Sequence, residues 1–217
     1  MNSPGKRFRQ RLATLPASCG GLSYVEFAFT APLLIMALTY GLELANIAIM
    51  HARISNLAGM MADGAARVRD SIDESDINEL FIGAGLAAGT GNITQHGRIL
   101  VSTLEDNAAT ATTTDQIITW QRCKGKKKPT STFGKEGDVV TDGVGKIGNK
   151  ISASVGNPVV FVEVIYDYQP LISNSLFGAM EIRYASAFSV RDRVSQTLRN
   201  GANLSATQKA TCNYFTA

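Results

Sequence analysis

At 217 residues the chain has room for one medium domain beside an anchor, or for two small ones. Its hydrophobic share of 45% is ordinary, so a membrane segment has to show in clustering and not in the average. A net charge of +3 is too small to point to a polyanionic partner, and no nucleic-acid partner is expected.

Charge is unevenly placed along the chain. Lys6, Arg7, Arg9 and Arg11 stand near the start, and no Asp or Glu precedes Glu26. Residues 1–21, with Pro4 and Pro16, read as a basic leader without stable structure. The stretch 22–50 reads as a transmembrane helix. From residue 27 to residue 50 Glu43 is the sole formal charge, and at the helical rise that run spans roughly 36 Å against a hydrocarbon core of about 30 Å. The positive-inside rule keeps the leader in the cytoplasm and sends the C-terminal bulk across. Pro32 removes one backbone hydrogen bond and is expected to kink the helix. Glu43, about 25 Å further on than Glu26, is expected to reach headgroups or water at the outer interface. A lipid bilayer is therefore the first partner expected.

Past Met50 the pattern turns amphipathic. Ile54, Leu57, Met61, Ala65 and Val68 recur at steps of three and four, so residues 51–70 are expected to continue the helix outside the membrane. Residues 71–217 read as an exported α/β domain. Asp70, Ser71, Asp73 and Glu74 can cap a second helix over 75–88. RILVSTL (98–104) and QIITWQR (116–122) read as strands joined by an Ala/Thr turn. Residues 124–150 hold seven lysines and six glycines and read as a long mobile loop. VVFVEVIYDY (159–168) is the strongest strand signal, with Val160, Val162, Val164 and Tyr166 toward a core and the mixed face of Phe161, Glu163, Ile165 and Asp167 toward water. EIRYASAFSV (181–190) alternates as well, and the two strands are expected to pair antiparallel. Residues 191–217 are polar, with Cys212 as their evident tether. The fold class expected is α+β: a long N-terminal helix whose outer half carries a small antiparallel sheet.

Cys19 falls on the reducing side of the membrane, whereas Cys123 and Cys212 fall on the oxidising side. One intramolecular bridge is open to the latter two, closing a loop of about ninety residues and contributing roughly 4 kcal/mol. Two free thiols are the alternative. His51 and His96 are isolated, and no metal or cofactor is expected. GVGKIG (143–148) fits a dinucleotide fingerprint by letter, but no strand precedes it and no helix follows. KGKKKP (124–129) reads as a solvated face. No nucleophile elbow, Walker loop or paired-acid motif occurs, so no enzymatic activity is expected.

Gly21, then Glu26 and Phe27 at the head of an apolar helix, resemble a type IVb prepilin cleavage site. WQRCKG around Cys123, VFVEVIYDYQPLI and ASAFSVRDR are similar to segments of the TadE-like minor pseudopilins of tight-adherence (Flp) pilus systems. The resemblance covers roughly the first sixty residues well and the end of the domain moderately. It implies a type IV pilin-like fold and cleavage between Gly21 and Leu22 by a prepilin peptidase. Glu26 would then set helix register among subunits, a role suited to a buried charge. The implied partners are other pilins and pseudopilins and the inner-membrane pilus assembly platform, with the outer domain periplasmic. A single-pass envelope protein whose exported domain binds a partner is the alternative. A Sec signal peptide cut near Ala45 or Ala48 would place acids in or beside its apolar core, where they are rare.

Overall fold

The computed structural model describes residues 21–89, 93–109, 114–129, 131–146, 148–172, 178–193 and 195–217. The basic segment before Gly21, with Cys19, lies outside the described residues. The chain forms an α+β fold in which an apolar helix, α1 (Leu22–Ala66), precedes an antiparallel sheet. Two compact units divide between Asn46 and Ile47, and each has its own character.

The first unit carries residues 22–46 of α1. Its surface is apolar nearly all round, with Leu22, Phe27, Phe29, Leu33 and Leu38 exposed. By length and composition α1 can cross a membrane, with an 18-residue window of mean hydropathy 1.8. The helix runs through Pro32, whose missing N–H leaves the Ala28 carbonyl without its usual donor. Glu43 departs from expectation: it is fully buried and engaged in a polar or ionic interaction, so it does not face headgroups or water. A carboxylate withdrawn from water requires such an interaction, because desolvation otherwise costs several kcal/mol.

The second unit begins with residues 47–66 of α1, where Ile54, Leu57, Met61 and Ala65 are buried at helical spacing. After it come β1 (Ser71–Asp73), α2 (Glu74–Ala87) and the short α3 (Ile93–His96). Asp73 caps α2: its Oδ1 accepts from Ser75 N at 3.0 Å, while its own N–H donates to Asp76 Oδ2 at 2.9 Å. The main sheet has the order β4-β3-β2-β7-β8, from β2 (Gly97–Asp106), β3 (Asp115–Lys124), β4 (Val139–Thr141), β7 (Val159–Asp167) and β8 (Glu181–Ser189). All its pairings are antiparallel, and β7 and β8 run in unbroken register from Val159↔Ser189 to Asp167↔Glu181. Ile99, Val101, Val160, Val162 and Val164 form the sheet face that packs with Ile54, Leu57 and Met61. Each such aliphatic, fully buried, contributes about 1.5–3 kcal/mol.

Four expectations for this unit need correction. Residues 124–150 are not one structureless loop: β4 lies there, and β5 (Val144–Lys146) and β6 (Asn149–Ile151) form a hairpin. The GVGKIG letters therefore belong to a β-hairpin and not to a strand-to-helix phosphate loop. The mixed face of β7 meets water only at its end, at Asp167. Phe161, Glu163 and Ile165 are buried, because Phe133 packs edge-on against Phe161 at 5.5 Å and residues 131–132 cover Glu163. Residues 191–217 hold more than a tether, since β9 (Ser195–Arg199) pairs in parallel with β1. KGKKKP is only partly solvated, for Lys127 is 16% exposed and sits between Asp167 and Glu181. Burial works against the Lys127 ammonium, yet the hydrogen bonds and charges of those two carboxylates outweigh it and raise its pKa.

Candidate functional site

Gly21 directly precedes α1, with nothing within 4 Å of the position a Cβ would take. Backbone at that point is open to approach. Leu22, Phe27 and Glu26 follow in helical conformation, all exposed. Glu26 stands four residues after Leu22, so the two share a helix face about 6 Å apart along the axis. It makes no hydrogen bond or ion pair among the described residues. The hydroxyls farther along are turned inward: Thr39 Oγ1 donates to the Ile35 and Met36 carbonyls at 2.9 and 3.0 Å, and Thr30 Oγ1 to Phe27 O at 3.3 Å. An apolar surface of this extent, with its hydroxyls internally satisfied, is matched to lipid or to other helices and not to water.

The outer domain is fastened at a different place. Cys123 on β3 and Cys212 form a disulfide across a sequence separation of 89 residues. Beside it Cys123 N donates to Ala210 O at 2.7 Å. Arg98 Nη2 donates to the Cys212 carbonyl at 2.6 Å, and Nη1 to those of Gly125 and Tyr214 at 2.8 and 3.1 Å. Its guanidinium also lies 4.2 Å from the centre of the Phe215 ring, a cation–π contact. Gly125 is required here: its φ is +123°, and a Cβ would come 2.3 Å from the Gly97 carbonyl oxygen.

Two further charged groups are internal. Arg122 Nε and Nη2 grip the Glu74 carboxylate at 2.9 and 2.6 Å, and Nη1 reaches Glu136 at 3.0 Å. Burial disfavours the Arg122 cation, but the hydrogen bonds and charge of Glu74, with Glu136, raise its pKa in balance. Glu163, 1% exposed, accepts from Ser131 Oγ, Thr132 N and Arg183 Nη1. His51 Nδ1 lies 3.1 Å from the Tyr184 hydroxyl. No group of three or more His, Cys, Asp or Glu side chains gathers as a metal site among the described residues.

The residues singled out from sequence thus separate into the contiguous head of α1 (Gly21, Leu22, Glu26, Phe27 and Pro32) and the bridged pair Cys123 and Cys212. Sequence reading passed over Arg98, Glu163 and Arg193. The signal was present for the first two: a single charge inside an apolar strand needs a partner if both faces are covered. No protein-family model, no curated protein and no solved structure matches this chain.

Proposed function

We propose that this chain is a TadE-like minor pseudopilin that takes part in assembling a tight-adherence (Flp, type IVb) pilus. Residues 1–21 are the cytoplasmic leader, a prepilin peptidase cuts between Gly21 and Leu22, and residues 22–50 hold the protein in the bacterial inner membrane. The outer domain then stands in the periplasm, where the Cys123–Cys212 bridge is stable. The observation that carries this reading is Glu26: an exposed carboxylate, without a partner among the described residues, at the head of an apolar helical stretch, five residues after Gly21.

The chemistry follows from cost. A carboxylate drawn to mid-depth in a bilayer costs of order 3 kcal/mol unless it is answered. Cleavage creates an amine on Leu22, and the amine of a neighbouring subunit's helix can answer Glu26 when two helices pack at the right axial offset. Apolar packing alone tolerates many offsets, so the ion pair selects one. The chain's own part is positioning, and no bond-making chemistry is assigned to it. Prepilin peptidase, other pilins and pseudopilins, and the assembly platform are the partners that this role requires.

N-terminal sequencing of the membrane-extracted protein from peptidase-positive cells tests the processing step, with Leu22 expected as the first residue. A start at Met1 would overturn it. Glu26→Ala tests the register role: membrane insertion persists and piliation fails. Normal piliation by that variant would favour a static envelope protein instead.

A further inference from the structure

Arg98 is 2% exposed and forms no ion pair among the described residues. Its bonds run to three neutral carbonyls, leaving Nε and one Nη2 hydrogen unused of its five N–H donors. A buried guanidinium is normally answered by a carboxylate, as Arg122 is by Glu74. Arg193, also buried, lies at the C-terminal end of α1, whose partial negative charge answers it, with Asp76 and Glu105 adding to that field. Nothing comparable surrounds Arg98: burial alone pushes its pKa down, and no acid opposes the effect.

Arg98 lines an open cleft of about 720 Å³. Lys135, exposed and without an ion pair among the described residues, lines it too, as does Asn213. Phe215 forms part of the same wall, and Lys128 lies 5.1 Å over its ring, again with no acidic partner. The cleft's one acid, Glu136, is already held by Arg122. Two cations without an acidic partner among the described residues, Arg98 and Lys135, therefore line one cavity, and Lys128 stands against its Phe215 wall.

We propose that this cleft binds an oxyanion, the carboxylate or phosphoryl group of a small anionic ligand. Arg98 and Lys135 supply charge from the cleft's lining, and Lys128 adds to it from beside the Phe215 wall. The planar fork of a guanidinium suits either group, and an anion there makes good the missing counter-charge. The site is independent of the pilus reading, since it uses neither Glu26 nor the apolar helix.

The test uses the full chain in a non-ionic detergent. Thermal unfolding and titration calorimetry are run with sodium phosphate and with sodium glucuronate, each against sodium chloride at equal ionic strength. A saturable rise in Tm with either oxyanion, absent with chloride, is expected. Response to phosphate alone assigns a phosphoryl ligand, and response to glucuronate alone a carboxylate. Lys128→Gln/Lys135→Gln alters only exposed side chains and is expected to weaken that binding about five- to tenfold. No oxyanion effect beyond chloride, or an effect that the double variant leaves unchanged, overturns the proposal. Arg98→Gln, if it folds, abolishes the response.

Discussion

Arg193 Nη2 donates to the carbonyl of Ala65, and its Nε donates to that of Val68 at 3.3 Å, so α1 is closed by a side chain from 128 residues further along. Arg191 N adds a third bond, to Ala66 O at 3.1 Å. The last turn of α1 has no basic residue of its own, and the cap is imported. Arg193→Met keeps the bulk and removes the donors, leaving buried carbonyls unanswered. A loss of about 2–3 kcal/mol is expected in urea unfolding of the detergent-solubilised protein. A loss under about 0.5 kcal/mol would mean that the carbonyls find water instead.

Glu74 and Arg122 form a pair whose side chains are 3% and 11% exposed. Removing one partner strands the other in a poor dielectric. Glu74→Ala is expected to cost about 3 kcal/mol, and Glu74→Ala/Arg122→Met to recover a good part of that. Additive losses in the double variant would show that the two act separately.

The Cys123–Cys212 bridge closes a loop of 89 residues across β3. Reduction, or Cys212→Ser, is expected to lower stability by roughly 4 kcal/mol on the chain-entropy account. Non-reducing gel mobility should shift on reduction of the wild-type chain and not of the variant. Arg98 still holds the Cys212 and Tyr214 carbonyls, so partial retention of the 210–216 segment against protease is expected.

Glu181 has its pKa lowered first by the hydrogen bond from Lys127, with Arg183 adding to it against a smaller burial effect. The unfolded chain therefore binds more protons than the folded one as the medium turns acid. Stability from this contact is full above the ordinary carboxylate value of 4.5 and drains as pH falls through the lower folded value. Asp73, lowered by the Ser75 and Gly201 backbone N–H groups, adds a drain of the same sign. Glu181→Gln is expected to flatten the fall in unfolding free energy between about pH 5 and about pH 3. An unchanged slope would assign the acid limb to other carboxylates.

Local signals located α1, α2, β2, β3, β7 and β8 within a few residues: an apolar run and then helical spacing for α1, capping residues for α2, β-branched content for β2 and β3, and alternation for β7 and β8. β1 and β9 escaped them: three and five residues show no period, and they pair in parallel across the whole domain. The inner surface of β7 was also hidden, since alternation marks which residues share a face but not whether a distant segment covers it. Ser131, Thr132 and Phe133 do so, inside a stretch whose lysines and glycines suggested disorder. The head of α1 was readable for the opposite reason: the pattern of Gly21, Glu26 and Phe27 lies within a few residues of sequence and needs no tertiary partner to be noticed.

The parallel pairing of Ser71 with Ser195 and Asp73 with Arg199 bears on the order of events during synthesis. Synthesis delivers β1 more than a hundred residues before its mate. Until residues 193–216 follow, α1 lacks its cap, β1 its neighbour and Cys123 its bridge. A chain arrested earlier leaves β1 unpaired and the Cys123 thiol free, whereas one that has passed Cys212 shuts. Synthesis of this last segment and closure of the domain thus become one event.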